Sequence, residues 1–316
     1  MQEYILRRLL YSIPVVFLTL LILFLIINAI PGDVVDVQTA GTTLSEEAIE
    51  EYRHDVGLDR PLFTRFFSWI GDLATGDLGT SIFTGVKVQT ELERRVPVTL
   101  ELGILGLAVA MIIAIPLGTI SAIRANTPID YLARLVAIGG LAVPNFVVAV
   151  LAILLLSKYL NYFPGVGYVH PWKDPVENFR LMWMPVLLVG TAQSAAVARM
   201  VRSTLLEVLH SDYIRTAWSK GLRERSIVIR HAIRNALIPV ITIIGLQARS
   251  IIGGIVLIEI VFGKPGMGSW MVTSIFDRDL IPLQAIILIF ALTVVVVNLI
   301  VDISYSWLDP RIRLRG

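Results

Sequence analysis

Charged residues are absent, or nearly so, from six long stretches: residues 9–32, 102–123, 135–157, 181–198, 235–258 and 280–301. Arg249 interrupts the fifth once. Each stretch is close to the ~20 helical residues that cross a hydrocarbon core. A core helix of a water-soluble protein would keep a polar face at a 3.6-residue period. Leu20–Ile27 and Ala285–Val297 are apolar almost all round. The pattern predicts an all-α integral membrane protein with six transmembrane helices. The first stretch follows Arg7 and Arg8, as a signal peptide would. Its apolar run is longer than the ~7–15 residues of a signal h-region, and it meets Pro31-Gly32-Asp33 with no clear small-x-small cleavage site. A retained helix is expected.

Composition agrees. Of the 316 residues, 55% are hydrophobic and 16% charged, against ~25% charged in a soluble domain. The net charge of +2 is too small to indicate nucleic-acid binding. With no cysteine, a disulfide scaffold, a thiolate metal site and a cysteine nucleophile are excluded.

Basic residues set orientation through short loops. With the N-terminus inside, the inside segments hold 15 of the 27 Lys and Arg, eight of them between the fourth and fifth spans; the short outside loops hold 5. Both termini are expected in the cytoplasm of a prokaryote, with the chain multi-pass in the cytoplasmic membrane and lipid around it. The expected organisation is a tail and first helix at 1–30, an extracytoplasmic segment at 31–97, a permease core at 98–303 and a cytoplasmic tail at 304–316. The core contains a basic cytoplasmic loop at 202–234. In the 31–97 segment, Ser45 before Glu46 and Glu47 marks a helix start, with acids at the positive end of the helix dipole.

Several chemistries lack their motifs. There is no HExxH, no GxSxG and no Walker-type glycine loop. This argues against ATP hydrolysis by the chain itself and against an intramembrane enzyme. Ion-coupled carriers usually hold acids or histidines in mid-membrane. Here Glu101, Glu259 and Asp302 lie near span ends, and His54, His170, His210 and His231 lie outside the spans. A self-sufficient secondary carrier is therefore the remoter reading.

The stretch from Glu207 to Thr242 carries the strongest signal. Leu205–Lys220 is expected as one helix and Arg223–Ile233 as a second, with Gly221 turning between them because glycine tolerates positive φ. A loop that only fixed topology would need charge. It would not need Tyr213, Ile214, Ala217, Trp218, Ile227 and Ile229 among the charges. Those residues suggest a docking surface for a cytoplasmic partner.

This segment resembles the coupling loop of ABC importer permeases, specifically the dipeptide/oligopeptide branch. The branch pattern is close to DYIRTA-x-x-KGL…RHA-x-RNAL-x-P. Asp212 through Ala217, Lys220 through Leu222, His231-Ala232, Arg234 through Leu237 and Pro239 all match it. Against the general importer motif, Arg215 and Thr216 replace Glu-Ala, and Arg234 stands where proline would fall. The resemblance runs along nearly the whole chain, through Ile30-Pro31-Gly32-Asp33, Gly76-Asp77-Leu78-Gly79, Thr99 through Gly103, Pro265 through Gly268 and Asp309 through Arg313.

The resemblance implies a type I ABC importer permease fold with no enzymatic activity of its own. It implies a second homologous permease forming a heterodimer, two ATPase subunits and an extracytoplasmic substrate-binding protein. ATP and Mg would sit on the ATPase subunits, with no cofactor or metal on this chain. Asp212, Tyr213, Arg215, Ala217, Lys220, Gly221, Arg223 and His231 would form the ATPase-coupling loop. Di- and oligopeptides are the expected cargo, while relatives in the branch carry nickel, glutathione or oligosaccharides.

Five polar residues in or beside spans are candidates for the translocation path: Asn145, Gln193, Gln247, Arg249 and Glu259. Buried amides such as these three are more often hydrogen-bond partners between helices than contacts for a ligand. Glu259 either marks the membrane edge or helps line an outer gate. Pro116 and Pro144 are expected to kink their spans. Arg249 lies ten residues from Pro239 and from Glu259, about 15 Å along a helix from each. An arginine at that depth costs about 2.5–3.5 kcal/mol on insertion scales, so it should face protein or a water-filled path. It either pairs with a carboxylate or carbonyl of a partner permease or with polar groups such as Asn145 or Gln193, or lines the path and attracts an anionic group of the cargo.

Overall fold

The computed structural model describes residues 2–29, 46–55, 57 and 59–308. The expectations for Ser45 and for 309–316 lie outside these residues. The helices are α1 (Gln2–Ala29), α2 (Glu46–Asp55), α3 (Leu62–Thr75), α4 (Val88–Ile123), α5 (Pro128–Ala142), α6 (Asn145–Leu160), α7 (Pro175–Leu209), α8 (Asp212–Ser219), α9 (Glu224–Ser226), α10 (Ile233–Val261), α11 (Met267–Phe276) and α12 (Leu280–Leu308). A π segment, Ile227–Ala232, joins α9 to α10.

All six apolar stretches fall on helices, but not always as single rods. Among the described residues, Val88–Ile123, Pro175–Leu209 and Leu280–Val301 are long and apolar enough to cross a membrane. Glu224–Leu237 and Pro239–Ser250, bent by 53°, make a fourth span if counted together. Leu10–Ile26 and Asn145–Leu160 are shorter apolar segments. Exposed Ile104, Ile112, Leu151, Leu154 and Leu155 give these helices apolar outer surfaces suited to lipid.

The third stretch corrects the expectation of a simple kink. Pro144 ends one helix and precedes another: Val143 and Pro144 are extended, with ψ 126° and 135°. A residue before proline is pushed out of the helical region, and no later contact restores it. By contrast Pro116 stays within the continuous 36-residue α4. Pro239 marks the bend in α10, where its missing N–H and ring break the ladder.

The chain folds as two compact units, Met1–Val96 with Ser269–Val295, and Pro97–Gly268 with Val296–Gly316. In the first, Phe17 and Phe24 of α1 meet Phe66 of α3 edge-on, at ring-centroid distances of 5.7 and 5.3 Å. Residues 79–88 form a tight hairpin, with the Val88 N–H donating to the Gly79 carbonyl at 3.1 Å. Ser81 Oγ donates to Asp279 Oδ2 in the turn before α12. Gly79 is required there twice over: its φ is +80°, and a Cβ would lie 2.7 Å from Ile281 Cγ2.

In the second unit α7 is the central helix, packing most heavily on α10 and α5. Its start is set by sequence. Asp174 caps it by accepting from the N–H groups of Val176 (3.1 Å) and Glu177 (3.0 Å), and Pro175 occupies the first turn. Small residues bring α4 close to α7. A Cβ on Gly106 would lie 2.5 Å from Val189 Cγ1, and one on Gly118 would lie 2.5 Å from the Ala198 carbonyl oxygen. Such close approach maximises van der Waals contact where lipid supplies no hydrophobic drive between helices. Around it, Leu102, Ala149, Met182 and Ile255 form one buried cluster.

Candidate functional site

The 202–234 segment forms a helical hairpin, but with different boundaries from those expected. The helix begun at Pro175 stops at Leu209, and His210-Ser211 breaks the expected Leu205–Lys220 rod. Two short-range side-chain bonds hold the break. His210 Nδ1 lies 2.7 Å from the Leu206 carbonyl, and Ser211 Oγ donates to the Val208 carbonyl at 2.6 Å. Such local bonds compete with helix continuation. On the other side, α9, the π segment and α10 run on without a break, so the expected Arg223–Ile233 helix is the start of the fifth span.

Gly221 closes α8. Its φ is +72°; its N–H donates to the Trp218 carbonyl at 2.9 Å, and the Leu222 N–H donates to Ala217 at 3.4 Å. That pair of bonds is a Schellman motif, whose left-handed position favours glycine. A Cβ on Gly221 would meet nothing within 4 Å. The requirement there is one of backbone conformation, not of space.

The eight residues of α8 divide sharply by face. Ile214 and Ala217 are buried with Leu205, Ala122, Ile227, Ala232 and Ala236. Ala217 and Ile214 therefore anchor the helix to the chain's own core, which corrects their reading as docking residues; Ile227 belongs with them. Asp212, Tyr213, Arg215, Thr216 and Trp218 are exposed, as are Lys220, Arg223 and Ile229. Arg215 lies 3.3 Å from Asp212 in a fully solvated pair, which contributes little to stability. Asn235 Nδ2 donates to the Tyr213 hydroxyl at 2.8 Å and to the His231 carbonyl at 3.1 Å, tying α8 to α10. His231 itself is half-buried within the π segment.

The candidate path residues do not converge into one cluster. Gln247 Nε2 donates to Gln193 Oε1 at 2.6 Å, so these two amides serve each other across α10 and α7. Among the described residues, Gln193 is thus engaged with Gln247 and makes no bond to Arg249. Arg249 is exposed on α10, and its side chain has no partner among the described residues. Asn145 opens α6, half-buried. Glu259 is fully buried, and Thr99 Oγ1 donates to its Oε1 at 2.6 Å. A Cβ on Gly266 would collide with that carboxylate, and one on Gly268 would lie 2.7 Å from Val256. Glu259 is thus held inside the unit by Thr99 of α4 and the turn before α11. In the same turn Lys264 is buried, with Nζ donating to the carbonyls of Gly165 (2.8 Å) and Gly167 (3.0 Å). Burial pulls its pKa down to about 8.

Sequence reasoning missed a heavily bonded charged group. Asp130, near the start of α5, is fully buried. Arg202 grips it with two parallel bonds of 2.8 Å, from Nε to Oδ1 and from a terminal nitrogen to Oδ2. Ser121 Oγ (2.6 Å), the Asn126 N–H (2.9 Å) and Arg134 (3.1 Å) complete five donors on two oxygens. The Arg202 guanidinium holds the Asp130 carboxyl well below the usual carboxylate range, against the opposing effect of burial. This knot joins the ends of α4, α5 and α7 next to the hairpin. The signal was faint: Thr127-Pro128-Ile129-Asp130 reads as an ordinary helix start.

The described apolar helices carry a polar hairpin that is anchored inward through Ile214 and Ala217 and bare outward. Residues 114–314 match the family described as binding-protein-dependent transport system inner membrane component, and residues 1–103 match the N-terminal membrane-component family of the same systems. The chain belongs to this family, whose fold is that of type I ABC importer permeases. It is 39% identical over 315 residues to the oligopeptide transport system permease protein AppB of Bacillus subtilis, with 99% of each chain covered. It is 40% identical to the probable D,D-dipeptide transport system permease protein DdpB of Escherichia coli K12, with 93% of each covered. To the glutathione transport system permease protein GsiC of Escherichia coli O6:H1 it is 36% identical over the full length of both. The protein is therefore a multi-pass inner membrane component of a transport system with further subunits.

Proposed function

We propose that this chain is the permease subunit of an ATP-driven importer of di- and oligopeptides. It pairs with a second homologous permease and forms part of the translocation path. An extracytoplasmic binding protein delivers the cargo, and two ATPase subunits holding ATP and Mg dock beneath the 207–234 loop. Both termini and the loop face the cytoplasm, where most of the basic residues fall. The chain itself is the moved part and carries out no hydrolysis.

The observation that carries this reading is the two-faced α8. Ile214 and Ala217 fix it to the core, while Asp212, Tyr213, Arg215, Thr216 and Trp218 stay bare. A helix fixed on one face and free on the other transmits a push on its free face to the helices behind it. The peptide assignment is supported by the names of the oligopeptide and D,D-dipeptide relatives. The glutathione relative supports a second reading of the cargo with the same architecture.

Gly221→Val tests coupling. A β-branched residue at φ +72° costs about 1–2 kcal/mol in the left-handed region, which the hairpin relieves by shifting α8. The expected result is an assembled transporter with uptake lost and ATP hydrolysis no longer stimulated by loaded binding protein. Normal uptake with normal stimulation refutes the coupling role of α8.

A further inference from the structure

A cavity of about 140 Å³ opens beside the Asp130 knot, lined by Leu117 and Gly118 of α4, Ala133 and Arg134 of α5, and Ala198 and Arg199 of α7, with Ser121 and Arg202 at its polar end. A single water needs only ~10–15 Å³ by a comparable measure, so the space admits a substantial group. Its walls are mostly apolar and its polar end is cationic.

The charge there is unbalanced. Arg134, Arg199 and Arg202 line the cavity, and Asp130 behind it pairs with Arg134 and Arg202. Both Asp130 oxygens are already saturated by five donors. Arg199 is exposed, and its side chain has no partner among the described residues. Arg134 keeps a buried Nε–H without an acceptor. Among the described residues, the Arg199 guanidinium and the Arg134 Nε–H are thus left without an acceptor.

Position says what kind of anion fits. The apolar stretches 102–123 and 181–198 both end at this level, and 135–157 begins there. The cavity therefore lies at an edge of the hydrocarbon region, where lipid headgroups sit. Helix α5 also presents exposed Leu132, Leu135 and Val136 on its outer face, an apolar surface suited to an acyl chain. Basic pockets between membrane helices recognise anionic headgroups in this way, and arginine forks suit phosphate oxygens.

We propose that this cavity binds the phosphodiester headgroup of an anionic phospholipid, with Arg199 and Arg134 donating to the phosphate and an acyl chain running along α5. The bound lipid neutralises the excess charge and braces α4, α5 and α7 immediately above the α8 hairpin.

The test uses the assembled transporter in nanodiscs of phosphatidylcholine containing graded phosphatidylglycerol, with retained lipids counted by native mass spectrometry. Wild type should retain phosphatidylglycerol selectively. Arg199→Gln should weaken that retention about fivefold, the effect of one arginine charge near an anionic surface. Arg180→Gln, at the opposite end of α7 in an exposed pair with Glu177, should leave it unchanged. Equal retention by wild type and Arg199→Gln would overturn the proposal. So would displacement of the lipid by millimolar inorganic phosphate, which would show that a free anion suffices. Should Arg199→Gln fail to assemble, the wild-type titration still decides: no preference for phosphatidylglycerol over phosphatidylcholine overturns the site.

Discussion

Replacing Asp130 by asparagine keeps the shape of the side chain and removes its charge. In the native knot two carboxylate oxygens accept from Arg202, Arg134, Ser121 and the Asn126 N–H. Asparagine offers one acceptor and an NH₂ group that points at donors, leaving the Arg202 guanidinium without its counter-charge. Removing one partner of a buried pair costs about 3–5 kcal/mol. Arg202 stays 20% exposed, so water recovers part of the loss and the lower end, about 3 kcal/mol, applies. At roughly 2 °C per kcal/mol for a chain of this size, the thermal midpoint of the purified protein should fall about 6 °C. The pH dependence has a definite sign. The folded carboxyl titrates below its unfolded value of ~3.9, so its contribution is complete above that value and fades as pH falls below it. The gap between wild type and Asp130→Asn should be constant from pH 6 to 8 and close below about pH 4. A double change, Asp130→Leu with Arg202→Leu, should recover much of the loss, because an apolar pair needs no desolvation. A midpoint shift under 2 °C for Asp130→Asn at pH 7 would refute the knot as a structural clamp.

Other outcomes are as specific. Gly221→Asn should keep uptake near wild type where Gly221→Val abolishes it, because asparagine tolerates the left-handed conformation; equal loss in both would show that side-chain bulk matters, not φ. Arg249→Gln should leave assembly intact and reduce uptake of acidic peptides more than of neutral ones, since its side chain is exposed and has no partner among the described residues; uniform uptake of all peptides removes it from the path. The chain has no native cysteine, so single cysteines at Thr84 and Ser219 report orientation directly. In intact cells an impermeant thiol reagent should label the first and not the second, and the reverse pattern inverts the topology.

The helical spans were legible because apolar length is a local property, and all six stretches lie on helices. Breaks were less so. Val143-Pro144 reads equally as kink or stop, and the choice rests on whether neighbours restore the lost bonds. His210-Ser211 carries no proline or glycine; its break comes from two side-chain bonds to carbonyls. The turn at Gly221 was legible because the left-handed position has a strong residue preference. The division of α8 into a buried and a bare face was not, since Tyr213, Ile214, Ala217 and Trp218 differ little in apolar character. Asp130 was invisible for a different reason: its principal partner, Arg202, lies 72 residues away, and Arg202 reads alone as one more topology-setting charge. The Gln193–Gln247 bond is likewise tertiary, spanning 54 residues.

The central claim is that this chain moves cargo only when ATPase subunits push on it. Proteoliposomes offer the direct test: uptake of a labelled tripeptide by the complete transporter, with binding protein outside and ATP within, against uptake by the purified chain alone under an imposed proton or sodium gradient. The complete transporter should accumulate peptide when ATP is present, and the chain alone should accumulate none. Gradient-driven accumulation by the chain alone would contradict it.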